Sequence, residues 1–211
     1  SPGNLTINET DGATFYNVAT ADGAIDITVS GALVLRQVDA SATDADANDV
    51  TVTNAGSGAG VTLDYVAAGA TAGDVTITSD AAIAENPDAA IDIMGDVLTL
   101  DAQAGIGDGE AIETDGQSIV ATAATPGNIE IDENDDATLT NVTTNDGTIT
   151  INAGGTLTAG NVDTSNTDDD SNDITLTAQN VAVDVVNAGA SNDVSITVTG
   201  DPPTVSLTST T

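Results

Sequence analysis

Residues 1–78 recur at residues 125–197, and no reading of this chain can avoid that duplication. Ser1-Pro-Gly-Asn-Leu-Thr-Ile aligns with Thr125-Pro-Gly-Asn-Ile-Glu-Ile, and Asp22-Gly-Ala-Ile-Asp-Ile aligns with Asp146-Gly-Thr-Ile-Thr-Ile. Over residues 1–53 the two copies share 27 identities without a gap. After a four-residue deletion, Val61-Thr-Leu-Asp-Tyr-Val continues as Val181-Ala-Val-Asp-Val-Val. The natural unit is therefore about 124 residues long, dividing the chain into residues 1–124 and a second, truncated unit at 125–211 that continues the first.

A shorter period runs inside the long one. Turn pairs such as Gly3-Asn4, Asp22-Gly23, Asn48-Asp49, Gly73-Asp74 and Gly95-Asp96 each precede a stretch that alternates apolar and polar residues. Val50-Thr-Val-Thr, Val75-Thr-Ile-Thr, Leu98-Thr-Leu and Ile174-Thr-Leu-Thr are examples. Alternation of period two places one apolar row inward and Thr, Ser or Asp outward, so an all-β fold is expected. Two architectures use such strands. Tandem β-sandwich domains space their turns at 8–12 residues, whereas a parallel β-helix, or solenoid, gives one coil per short repeat. The β-helix is preferred because the turn spacing is fairly regular and the core residues are small. About nine coils at ~4.8 Å each predict a rod of roughly 40 Å. Its end coils carry unpaired edges, which makes head-to-tail self-association or continuation by a longer repeat chain an expectation.

Composition supports a narrow interior. Ala, Val, Ile and Leu supply the apolar content, and Phe15, Tyr16 and Tyr65 are the only aromatics, too few for the core of a broad globule. The net charge is −33 and Arg36 is the only basic side chain. Such a chain cannot neutralise phosphates, so nucleic acid is excluded as a partner, and anionic membrane surfaces repel it. No apolar run reaches membrane-spanning length, so insertion is not expected. With no Cys and no His, disulfides, thiol nucleophiles and His-based triads are excluded. Carboxylate pairs are unavoidable at this acidity and carry no catalytic signal, and the duplicate of Arg36 is Gly160. The chain reads as non-catalytic, with a polysaccharide-acting enzyme a distant alternative. It opens at Ser1-Pro2 with neither Met nor a signal peptide, as a processed or excised segment does.

Asp146-Gly-Thr-Ile-Thr-Ile-Asn-Ala-Gly-Gly-Thr-Leu-Thr-Ala-Gly-Asn-Val, together with Leu98-Thr-Leu-Asp-Ala-Gln-Ala-Gly-Ile-Gly-Asp-Gly, resembles the repeats of filamentous-haemagglutinin-like bacterial exoproteins. The resemblance implies a right-handed parallel β-helix, exported to the cell surface or beyond, serving as the shaft of an adhesin or fibre. The amino-terminal secretion domain of that family is not recognisable, and the acidity of this chain is a departure from the family. A glycan or cell-surface ligand is the partner such a shaft would present.

The acidic loops are the candidate cation sites. Asp44, Asp46, Asn48 and Asp49 recur as Asp168, Asp170, Asn172 and Asp173. Asp at positions 1 and 3 followed by Asn at 5 opens an oxygen-ligand Ca²⁺ loop. The sixth position is Asp in place of Gly, and the twelfth is Ala55 or Gln179 in place of Glu, which excludes a helix-loop-helix site and leaves an irregular Ca²⁺ loop. The alternative is a solvated turn. A second acidic turn, Glu9-Thr-Asp11 with Glu133-Asn-Asp135-Asp136, reads as solubility and turn chemistry, with metal binding as the alternative. The Thr-x-Thr strands raise ice binding by a Thr ladder, but Leu5-Thr-Ile, Ile25-Asp-Ile and Ile129-Glu-Ile interrupt it. Three glycosylation sequons, at Asn4, Asn8 and Asn141, give weak support for export.

Overall fold

A computed structural model describes residues 3–56, 58–88, 90–107, 109–167 and 171–207. Among these residues there are twenty-three strands and no helix. Every strand pairing among them is parallel. Parallel neighbours that are distant in sequence require the chain to travel once round before returning, so the fold is a β-solenoid. The tandem-sandwich alternative, which is built from antiparallel pairs, is set aside by the same observation.

In the first half each coil crosses three faces. Leu5–Glu9, Ile25–Val29, Val50–Asn54 and Val75–Ser79 stack on the first face. Ala13–Phe15, Leu33–Leu35, Val61–Leu63 and Ile83–Glu85 stack on the second, and Val18–Ala19, Val38–Asp39 and Val66–Gly69 on the third. Like residues sit above like. The column Leu5–Ile25–Val50–Val75–Leu98–Ile119 is wholly apolar, and so is Ala13–Leu33–Val61–Ile83–Ile106–Ile129–Ile149–Ile174–Val194, which crosses nine coils. Inner members such as Ile25, Val75, Ile106 and Ile149 are fully buried. At about 1.5–3 kcal/mol per buried aliphatic side chain these columns are the dominant cohesive term. On the outward side, Thr51, Thr76 and Thr99 line up, but the row ends at Asp26 in one direction and Val120 in the other.

The corners are held by Asn and Asp side chains that reach from coil to coil. The Asn4 Oδ1 accepts the Ala24 amide at 3.2 Å and the Asn128 Oδ1 accepts the Thr148 amide at 3.0 Å. Gly23 and Gly147, equivalent in the two copies, take positive φ of 131° and 151°. Each donates its amide to a buried Asn: Gly23 to Asn48 Oδ1 at 2.7 Å, and Gly147 to Asn172 Oδ1 at 3.0 Å. A Cβ there would lie 2.8 Å from the Gly3 carbonyl oxygen or 2.5 Å from that of Gly127, so both φ and space demand glycine.

The two copies do not stack on their own equivalents. Leu5 begins the first-face column, which reaches Ile119 after five coils and continues to Leu139. Ile129, the duplicate of Leu5, comes ten residues after Ile119 and lies in the second-face column over Ile106. Farther along the same strand, Ile131 to Glu133 pair with Ile112 to Thr114, which continue the third face. The repeat is thus five coils plus a fraction, and the second copy is turned about the axis relative to the first.

Candidate metal centre

The loops singled out from the sequence serve mainly as corner fittings. Asn48 is fully buried: its amide donates to the Thr43 carbonyl and Oγ1 at 2.5 and 2.7 Å while its Oδ1 holds Gly23. Asn172 repeats this on Thr167 at 2.8 and 2.9 Å. The Asp49 Oδ1 accepts the Asp74 amide at 3.1 Å, and the Asp173 Oδ1 accepts the Asp193 amide at 2.8 Å. Asp44 accepts the Thr71 amide at 3.3 Å and the Thr71 hydroxyl, and Asp46 lies exposed. Asp168 and Asp170 fall outside the described residues. Two groups of three acids converge among the described residues, and neither contains any of these side chains.

Glu85, Asp92 and Glu113 form the more buried group. Ile83–Glu85 alternates inward, outward, inward, so Glu85 takes the slot that Phe15, Leu35 and Leu63 fill in the coils below. Asp92 closes the corner before the strand Ile93–Ala102, and its backbone amide donates to the Glu113 carbonyl at 2.9 Å. Glu113 lies one coil on, in Ile112–Ala123, and its amide donates to the Asp92 Oδ2 at 3.2 Å. One carboxylate oxygen from each residue lies within 4.8 Å of one from each of the others. Glu85 is 7% exposed and Asp92 1%. The Glu85 Oε2, Asp92 Oδ1 and Glu113 Oε2 are buried without a hydrogen-bond partner.

Fully ionised, such a group is costly. At an effective dielectric of about 20, two charges ~4.8 Å apart repel by roughly 3 kcal/mol, before desolvation is counted. Burial raises the Asp92 carboxyl far above the usual carboxylate range, and the Glu113 and Glu85 carboxylates add to the rise. Burial, then Glu113, raises Glu85 as well. The chain's one basic side chain is occupied elsewhere: Arg36 donates to both Asp64 oxygens, at 2.9 and 2.7 Å. Counter-charge at this cluster has to come from outside the chain, as protons or as a metal ion.

Asp115, Glu133 and Asp135 form the second group. Glu133 is only 3% exposed, contrary to the solvated-turn reading of its sequence, because Ile129, Ile131 and Glu133 share the inward side of one strand. It is fully partnered. Thr114 donates its hydroxyl to Oε2 at 2.7 Å, and the Gly116 amide donates to both oxygens at 3.2 Å. Burial nevertheless pushes its carboxyl up to about 7. Its duplicate, Glu9, lies exposed in the first coil and caps its own turn through Thr10 and Asp11 at 2.9 and 3.2 Å. Beside this group, Thr71, Asp115, Gln117, Asp135, Asp136 and Thr156 border an open groove of about 470 Å³.

Fold and site together define a parallel β-solenoid with carboxylates set into its interior. Comparison of the chain with protein-family models, with curated proteins and with solved structures finds no match in any of the three.

Proposed function

We propose that this chain is a structural segment, the stiff shaft of an extracellular or cell-surface fibre or adhesin, and that it is not an enzyme. One observation carries the reading: the apolar column from Ala13 to Val194 runs through nine coils, and among the described residues no element covers the strands at either end. Leu5–Glu9 at one end, and Val194–Val198 with Thr204–Leu207 at the other, have an outer edge without a strand partner among the described residues. Val194 and Val205, which continue inward columns, are 44% and 52% exposed. An open edge over exposed apolar residues is a template for a further coil, whether of the same chain or of another copy stacked head to tail.

Two further points support a structural role. The most perturbed acids lie inside the coil, where a polysaccharide strand cannot reach them. Coil-to-coil hydrogen bonding resists bending, as a spacer requires. The resemblance to filamentous-haemagglutinin-like repeats agrees with export and adhesion.

Electron microscopy of the chain beside covalent tandems of two and three 124-residue units tests the proposal. Rods of constant width, lengthening in proportion to unit number, are expected. Bead-like particles joined by flexible connections would refute it.

A second reading has its own observation, the 470 Å³ groove. Its Asp, Thr and Gln lining suits a hydrated glycan or a cation-bridged ligand, although no aromatic ring borders it to stack on a sugar. Glycan-array binding that disappears in Asp135→Ala/Asp136→Ala would favour recognition over a purely mechanical part.

A further inference from the structure

The geometry of the interior acids points to a use that the shaft reading does not require. We infer that Glu85, Asp92 and Glu113 bind one divalent cation, Ca²⁺ in preference to Mg²⁺, and that the ion pins two successive coils together.

Clustering alone does not carry this. The Glu85 Oε2 and Asp92 Oδ1 are orphaned acceptors on side chains more than nine-tenths buried, the Glu113 Oε2 is buried without a partner as well, and the three carboxylates converge. Buried acceptors are nearly always satisfied, so three orphans at one place indicate a missing partner. That partner is cationic, since all three groups are acids and the sole Arg is bound to Asp64. A shared proton joins only two oxygens. One ion with ligand distances of about 2.3–2.6 Å takes an oxygen from each of three carboxylates spaced this closely.

The choice of metal follows from burial. Mg²⁺ gives up its waters reluctantly and keeps several of them, whereas Ca²⁺ accepts an all-oxygen protein shell of variable geometry. A site in which Asp92 is 1% exposed leaves little room for retained water. The sequence contains neither Cys nor His, and the three converging groups offer oxygen alone, which suits a hard cation. The two anchors differ in kind. Glu85 replaces an aliphatic residue in an inward column, and Asp92 with Glu113 bridges that coil to the next through one backbone bond and one amide-to-carboxylate bond. An ion here therefore adds a cross-coil tie at a level where the Phe15–Leu35–Leu63 column ends.

The test is calorimetric titration of the whole chain, stripped with chelator, against Ca²⁺ and separately against Mg²⁺. A buffer of ~0.5 M NaCl suppresses diffuse attraction to the acidic surface. One Ca²⁺ per chain is expected, with Mg²⁺ at least ~10-fold weaker. Glu85→Gln and Asp92→Asn should each weaken Ca²⁺ by ~10-fold or more, whereas Asp44→Asn/Asp46→Asn should leave it unchanged. Glu85→Leu guards against a variant that fails to fold. It extends the column of Leu35 and Leu63, so its melting temperature in chelator should exceed that of the parent and be indifferent to Ca²⁺. Three outcomes overturn the inference: no stoichiometric Ca²⁺ uptake by the parent, full uptake by Glu85→Leu, or loss of uptake in the Asp44/Asp46 variant alone. If the first of these is joined by stabilisation in Glu85→Leu, protons suffice to neutralise the cluster.

Discussion

At the scale of single residues, the informative positions are acids in slots meant for aliphatic side chains. Glu133 points inward with Ile129 and Ile131, yet it is surrounded by donors, the Thr114 hydroxyl and the Gly116 amide. Those donors favour its ionised form, and burial outweighs them, leaving the carboxyl at about 7 against an ordinary 4.5. The folded chain therefore keeps a proton between about pH 4.5 and pH 7 that the unfolded chain has released. Stability due to this residue falls as pH rises through that window and is level above it. The loss amounts to about 3 kcal/mol at most. Urea titrations in chelator at intervals from pH 4.5 to 8 should show a shallower decline for Glu133→Gln than for the parent. Parallel curves for the two proteins would mean that Glu133 ionises normally. The signal for both buried acids was present in the sequence: Ile83-Ala-Glu85 and Ile129-Glu-Ile-Asp-Glu133 each carry Glu in phase with the apolar positions. In the acid-rich loops, where density of charge is greatest, Asp and Asn fasten corners instead. For Glu85 the duplication gave no help, because the recognisable second copy ends before its counterpart.

At the scale of strands and coils, period-two alternation and turn pairs were enough to place most of the ladder. Val50–Asn54, Val75–Ser79 and Ile174–Ala178 lie where Val-Thr-Val-Thr, Val-Thr-Ile-Thr and Ile-Thr-Leu-Thr put them. Parallel stacking is also what small β-branched residues in successive coils favour. The long interval around Gly105-Ile-Gly-Asp-Gly was harder to read, because its coil reduces to single-residue bridges at Ile106 on the second face. Ile106 is nonetheless fully buried between Ile83 and Ile129 and, among the described residues, is the rung that links the second-face column of one copy to the next. Ile106→Ala should cost about 3 kcal/mol in denaturant unfolding, whereas Thr76→Ala, on the outward row, should stay within about 0.5 kcal/mol. Equal effects at the two positions would mean that the Ile106 rung bears no packing load.

At the scale of the whole molecule, charge is the controlling variable. With a net charge of −33 and one half-exposed ion pair, Arg36–Asp64, the native rod holds its carboxylates at higher density than the unfolded chain does. Added NaCl screens that repulsion over a Debye length that shrinks to about 3 Å at 1 M. The melting temperature in chelator should therefore climb between low salt and ~1 M NaCl, and a flat or falling trend would show that self-repulsion is not a significant term. The rotation between the copies has a consequence for any longer polymer of this unit. Since one repeat closes on five coils and a fraction, the strands flanking the acidic stretch of the first copy, Val38–Asp39 and Val50–Asn54, and those flanking its duplicate, Val162–Asp163 and Ile174–Ala178, stand at different azimuths. Successive units would set equivalent loops round the axis like the bristles of a bottle brush. A flat surface lying along such a rod would meet only a fraction of them at once, and no single flank would be bare.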